Sequence, residues 1–245
     1  MYLYIYDSFL TDAKYAPMLT KIEQRVTDLE IKGKIARLTI LKNIRELIAD
    51  AVKDGVKTVV AIGDDQTFAK VINVIAEMDV ILGIIPVDDK SKIAKILGIP
   101  PRELACDVLS GRIIKKIDLG KINNYYFLNS AVIQNAQVKI ICDKFEIAPT
   151  TEQNSICISN FGTSFEKSNP TDGIMEAIIT PIQQGFLSGK KLKPTILPFT
   201  KILINSAGDD PISILTDQQV IMKTPAEINI APQRLSIIVG SQRDF

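Results

Sequence analysis

Histidine and tryptophan are absent from this sequence of 245 residues. Without imidazole there is no Ser-His-Asp or Cys-His triad, no HExxH zinc site and no ordinary general base near neutral pH. Proton transfer must therefore fall to carboxylates, lysines or tyrosines. Cysteine is scarce: Cys106, Cys142 and Cys157 are scattered without metal-ligand spacing, which suits small buried apolar residues in a reducing compartment. Neither sign of charge prevails, with 29 basic against 28 acidic residues and a net charge of +1, so no overall field draws the chain to nucleic acid or to an anionic membrane. No apolar run approaches the length of a bilayer span, and the opening MYLYIYDS lacks the basic flank and long apolar core of a signal peptide. The expectation is a soluble, cytoplasmic protein.

What the chain does hold is apolar residues, 46% of the total, enough for a sizeable core and for two domains. Met1 to Tyr6 alternates as a strand does, and Asp7-Ser8 ends it. Apolar residues at three and four predict a helix from about Asp12 to Leu29. A second strand is expected over Ile35 to Leu41, then a helix capped by Asn43 and running to Asp54. Thr58 to Ile62 reads as a strand buried on both faces, Val80 to Ile85 as a fourth strand, and Lys90 to Leu97 as a short helix stopped at Gly98. Strand and helix alternate, so the first part predicts a doubly wound parallel α/β sheet.

After Gly111 the pattern changes. Short strand-like runs follow one another, from Ile113 to Leu119, Tyr125 to Ile133, Gln137 to Cys142, Ser155 to Ser159 and onward to Leu235 to Val239, with one helix-like piece at Pro181 to Leu187. This predicts an antiparallel β-sandwich. The expected domains are therefore 1–111, α/β, and 112–245, β-sandwich, with the ligand site in the cleft between them.

The most informative stretch is TVVAIGDDQTFAKVIN, residues 58–73. A buried strand stops at Gly63, read as the one turn residue with easy access to positive φ. Asp64 and Asp65 suit a turn or an N-cap, and Thr67 is expected to start a helix through Phe68, Val71, Ile72 and Ile75. Such a turn places carboxylates and backbone N–H groups at the carboxyl end of a strand, where open α/β sheets bind ligands. The same residues also serve an ordinary acidic βα turn with no ligand.

GDDQT at 63–67, VIN at 71–73, LGIIPV at 82–87, AKILGIP at 94–100, IDLGKIN at 117–123, FLN at 127–129, PTDG at 170–173 and TDQQ at 216–219 occur in an order that resembles the diacylglycerol kinase catalytic-domain superfamily. That group includes bacterial lipid kinases and sphingosine kinases and is more distantly related to NAD kinases. The resemblance runs from Met1 to about Val239. It implies an α/β nucleotide-binding domain followed by a β-sandwich, with ATP and Mg²⁺ as cofactors, nucleotide and a lipid hydroxyl as partners, and peripheral contact with the inner face of the membrane. With charge so balanced no nucleic-acid partner is expected, and the oligomeric state is left open, a homodimer included.

Carried over residue by residue, Gly63, Asp65 and Thr67 match the GGDGT turn that holds ATP phosphates, with Asp64 and Gln66 at its other positions. Thr39 matches a nucleotide-contacting threonine, and Asp7 sits where the family has the asparagine of an NPxSG turn. Asp88, Asp89 and Lys90 fall at the second nucleotide loop, Asp172 at an aspartate that helps hold a structural magnesium, and Asp217 and Gln219 at the catalytic DGE motif.

The departures bear on chemistry. Asp64 and Gln66 replace two glycines, so side chains, one of them negative, stand where backbone should approach phosphate. The second nucleotide loop, GTGND in the family, has lost both glycines here, which leaves Lys90 and Lys92 to contact phosphate by charge. Gln219 cannot take a proton, so Asp65 is the remaining candidate base. Three readings follow: an ATP-dependent lipid kinase, a catalytically inactive nucleotide- or lipid-binding relative, or a kinase acting on another small hydroxyl substrate. Phe127, Ile133, Phe161, Phe165 and Phe186 could line an apolar lipid trough or fill the sandwich core, and residues 160–170 could form a flap or an ordinary loop.

Overall fold

The computed structural model of the protein describes residues 1–38, 43–134, 137–142, 145–149, 154–161, 169–181, 193–217, 220–243 and 245. They fall into two compact units, one of residues 1–117 together with the segment that begins at Arg234, the other of residues 118–233 with Phe245.

In the first unit β1 (Tyr2–Tyr6) is followed by two short 3-10 turns and α1 (Ala16–Asp28), then β2 (Gly33–Arg37), α2 (Ile44–Lys53), β3 (Thr58–Gly63), α3 (Asp65–Ile75), β4 (Ile81–Pro86), α4 (Lys92–Ile96) and α5 (Leu104–Gly111). The strands form a parallel sheet in the order β2-β1-β3-β4. Every residue of β3 is buried, as a central strand covered on both faces requires. Leu19, Ile22 and Val26 turn one stripe of α1 inward, and Pro17 sits in its first turn, where its missing N–H removes no helical bond. Asn43 caps α2 by accepting from the Arg45 N–H at 2.9 Å. The doubly wound α/β sheet read from the sequence is the fold of this unit.

The second unit contains most of β5 (Ile114–Ile122), then β6 (Tyr125–Phe127), β7 (Ser130–Gln134), β8 (Val138–Cys142), β9 (Phe145–Ile147), β10 (Asn154–Ser159), β11 (Met175–Pro181), β12 (Thr195–Phe199), β13 (Lys201–Ser206), β14 (Ser213–Thr216), β15 (Val220–Lys223) and the first part of β16 (Ala226–Ile238). One antiparallel sheet runs β12-β11-β10-β7-β14-β15. In the other, β13 lies between β8 and residues 226–229 of β16. Ile133, Ile156, Ile158 and Met175 from the first sheet share one core with Ile140, Ile202, Ile204 and Ile228 from the second. That interdigitation makes a β-sandwich.

Several expectations need correction. The expected boundary at 111 gives way to one near 117, and the chain returns to the first unit: Ser236 and Ile237 of β16 pair in parallel with Ile81 and Leu82 of β4. A run such as Leu235 to Val239 announces a strand but not its partner. The runs Glu227 to Ile230 and Leu235 to Val239 read as two strands, but they are one, β16, which continues through Pro232 and through Gln233 with its positive φ of 49°. α5 escapes the sequence reading, since Pro100 and Pro101 read as a terminator. Tyr125 to Ile133 is two strands broken at Leu128-Asn129. In the helix expected at 181–187, Pro181 instead closes β11, and 182–187 lie outside the described residues.

Candidate functional site

The carboxyl ends of β1, β3 and β4 carry most of the residues singled out in the sequence. α3 starts at Asp65, not Thr67, and Asp64 is its N-cap. The Asp64 carboxylate accepts the Thr67 N–H at 3.0 Å while the Asp64 N–H donates to the Thr67 hydroxyl at 3.3 Å, a reciprocal capping box. The Thr67 hydroxyl in turn donates to Asp7 Oδ2 at 2.8 Å. Asp7 is 6% exposed; it also accepts from the Ser8 hydroxyl at 3.1 Å and has Lys70 Nζ at 3.7 Å. Burial pushes the Asp7 carboxyl up, but the Thr67 hydroxyl, Lys70, the Ser8 hydroxyl and the Phe9 N–H together outweigh it and hold the group below the usual carboxylate range.

Gly63 has a different reason from the one read in the sequence. It ends β3 without a positive φ; a Cβ there would lie 2.2 Å from the Thr67 hydroxyl oxygen. Glycine is required for the close approach of Thr67, not for a turn.

Asp65 reaches across to the next loop. Its carboxylate accepts the Ser91 hydroxyl and the Lys92 N–H, the latter at 2.9 Å. Ser91 in turn caps α4, accepting the Ala94 N–H at 2.9 Å. One backbone bond, Val87 N–H to Gly63 C=O at 3.0 Å, locks the ends of β3 and β4 together. Asp88 closes an Asx turn by accepting the Lys90 N–H at 2.9 Å, while Gln66, Asp89 and Lys90 point into solvent. The structure thus brings together Asp7, Gly63, Asp64, Asp65, Thr67 and Asp88, and places Gln66, Asp89 and Lys90 at the rim. Thr39 lies outside the described residues.

The electrostatics of this corner are unusual for a phosphate site. The amino end of a helix carries a partial positive charge and unpaired N–H groups that suit an anion. Here Asp64 and Asp65 put two carboxylates in that place, so a bare phosphate is repelled. Among the described residues no group of three or more His, Cys, Asp or Glu forms a ready metal cage. Magnesium on a nucleotide needs only one or two carboxylates beside phosphate and water oxygens. Asp64 and Asp88 each keep one carboxylate oxygen with no partner among the described residues, and they fit that donor set.

In the second unit Asp217 has a structural assignment. It is 7% exposed, has a φ of 46°, and accepts three backbone N–H groups, of Leu128 at 2.7 Å, Asn129 at 2.8 Å and Ser130 at 3.0 Å. Gln219 lies outside the described residues. Asp172 is exposed, and one of its oxygens accepts the Ile174 N–H at 2.9 Å in a turn where Gly173 has a φ of 76°. Asp172 belongs to no group of three or more His, Cys, Asp or Glu among the described residues. Phe127 and Ile133 fill the sandwich core and do not line a trough; Phe161 packs on Phe245, their ring centres 5.4 Å apart; Phe165 and Phe186 lie outside the described residues, as do 162–168 of the proposed flap.

The sequence reading missed Asp118. It is fully buried and accepts the N–H groups of Gly173 at 2.8 Å and Gln233 at 2.6 Å, so it anchors the turn that carries Asp172. The available signal was one carboxylate inside the apolar run Ile117 to Leu119.

Residues 2–122 match the sequence profile of the diacylglycerol kinase catalytic domain. A diacylglycerol kinase of Bacillus subtilis (strain 168) is 36% identical over 77 residues, which cover 30% of this chain and only 25% of that protein. A crystal structure of a diacylglycerol kinase from Bacillus anthracis str. Sterne superposes with a TM-score of 0.78 at 17% identity, over 98% of this chain and 97% of that one. A second structure from the same organism gives a TM-score of 0.79, also at 17% identity. The profile match ends at Ile122, and PTDG and TDQQ lie beyond it. No helix among the described residues is long and apolar enough to cross a membrane.

Proposed function

We propose that this chain, whose residues 2–122 match the diacylglycerol kinase catalytic domain, transfers the γ-phosphoryl group of ATP to the hydroxyl of a lipid of the diacylglycerol or long-chain-base class. The observation that carries this reading is the Asp65 bridge. One carboxylate at the end of β3 ties the β3–α3 turn to the start of α4, so the two loops that the family uses for nucleotide are held as one unit.

Phosphoryl transfer asks the protein chiefly to position the triphosphate and the acceptor hydroxyl and to neutralise charge. Asp64 and Asp88 would hold Mg²⁺ carried in with the nucleotide, and that ion would screen the phosphates from the acidic corner. Lys70, 54% exposed beside Asp7, adds a cation on α3. Asp65 is the proton acceptor of this proposal: it gives up the Ser91 hydroxyl as the lipid hydroxyl approaches. Asp217 and Asp118 act as positioning residues, through the backbone turns they hold. The lipid substrate places the working enzyme at a membrane surface, as a peripheral protein of the cytoplasm.

The test is transfer of label from γ-labelled ATP with Mg²⁺ to extracted lipids, diacylglycerol and a long-chain base among them. Labelled lipid is the expected product. Stabilisation by ATP without any labelled lipid would instead identify a nucleotide-binding relative without catalysis.

A further inference from the structure

Beside the acidic corner, within the first unit, lies a cleft of about 380 Å³ whose lining includes Lys14, Tyr15, Lys21, Asp88, Arg102 and Glu103. That volume is within the range of small-ligand sites. We propose that this cleft, rather than the β3–α3 turn, receives the polyphosphate of the nucleotide, an inference that rests on the nucleotide reading above.

Arg102 carries the argument. It stands in the left-handed region with a φ of 60°, a conformation that an L side chain resists and glycine accepts freely. Its N–H donates to the Pro86 carbonyl at 2.7 Å and its Nε to the Val87 carbonyl at 3.4 Å, which fastens it to the end of β4. The two terminal guanidinium nitrogens have no partner among the described residues and form the planar pair of donors that suits a phosphate. Lys21 likewise has no ion pair among the described residues. Lys14 is paired with Asp12 at 3.1 Å, but both side chains are more than half exposed, and such pairs are readily exchanged.

The lining holds three cations against two carboxylates, of which Asp88 already accepts the Lys90 N–H; Asp12, outside the lining, offsets Lys14 and leaves Lys21 and Arg102 as the cations on which the site depends. The neighbouring corner has the opposite balance: Asp64 and Asp65 occupy the amino end of α3, where a glycine-rich turn would leave room for phosphate. Because Val87, which lines the cleft, is hydrogen-bonded to Gly63, the two places are adjacent. A magnesium triphosphate can therefore reach the cations of the cleft with its metal toward Asp88.

The experiment is equilibrium binding of Mg·ATP and, separately, of inorganic triphosphate to the full chain, its Lys21→Ala/Arg102→Gly variant and its Arg102→Lys variant. Glycine suits the backbone at 102, so the double variant is expected to melt like the native chain. It should bind both ligands at least tenfold more weakly, with a shallower dependence on salt, and Arg102→Lys should keep part of the affinity. If the native chain binds ATP and the double variant binds it equally well, the cleft is overturned while the nucleotide reading stands. If triphosphate binds through Lys21 and Arg102 but ATP does not bind, the nucleotide reading falls and the anion cleft stands. Binding of neither ligand overturns both.

Discussion

The Thr67 hydroxyl donates to the Asp7 carboxylate at 2.8 Å, joining the end of β1 to the first turn of α3. Thr67 is fully buried and also accepts the Asp64 N–H. Thr67→Val keeps the shape and removes both bonds, leaving a buried carboxylate short of a donor. Urea denaturation should show a loss of about 1–3 kcal/mol. An unchanged midpoint would mean that this contact does not hold the corner together.

The Asp7 carboxyl adds a pH dependence. Its folded-state pKa lies below the ordinary value of 3.8, so its ionised form stabilises the fold. That contribution is fully present well above pH 3.8 and disappears as the pH falls below it, through the folded-state value. Asp7→Ala should therefore melt below the native chain at pH 7, and the gap should narrow on acidification toward pH 3. A gap that stays constant over this range would exclude ionisation of Asp7 as its source.

Gly63→Ala tests why glycine stands at the end of β3. The added methyl would lie 2.2 Å from the Thr67 hydroxyl oxygen and 2.6 Å from its Cβ, and Thr67 is pinned by its bonds to Asp7 and Asp64. Overpacking of this kind costs about 1–3 kcal/mol. Full native stability in urea would show that Thr67 can move aside.

Much of this geometry was legible in the sequence, and the remainder was hidden for physical reasons. The buried run of β3, the stripe of α1 and the Asn43 cap follow from periodicity and local chemistry, which act within a few residues. Asp65 could be marked as important from the βα turn, but its partners Ser91 and Lys92 come from the next loop and no spacing rule reaches them. Gly63 was identified for the wrong reason, because a close side-chain approach and a positive φ leave the same letter in a sequence. Asp118 was missed, and the amides that Asp217 holds were not foreseen, because no local spacing shows which backbone amides surround a carboxylate. The return of β16 to β4 depends on a partner some 155 residues away in the chain.

Asp217 is expected to act through structure. Asp217→Ala would leave the amides of Leu128, Asn129 and Ser130 without their acceptor, at about 1–3 kcal/mol for each buried group. A loss of more than about 3 kcal/mol in urea unfolding is the expected result. Unaltered stability together with abolished phosphate transfer would instead restore the catalytic role suggested by its motif.

The most direct test of the kinase account is the Asp65→Asn variant in the transfer assay with γ-labelled ATP, Mg²⁺ and lipid. Asparagine is isosteric, retains an acceptor oxygen for Ser91 or Lys92, and cannot serve as a base at neutral pH. The account predicts labelled lipid from the native chain and a transfer rate reduced about a hundredfold or more in the variant, with ATP binding retained. Equal rates from the two proteins, or no labelled lipid from the native chain, would contradict it.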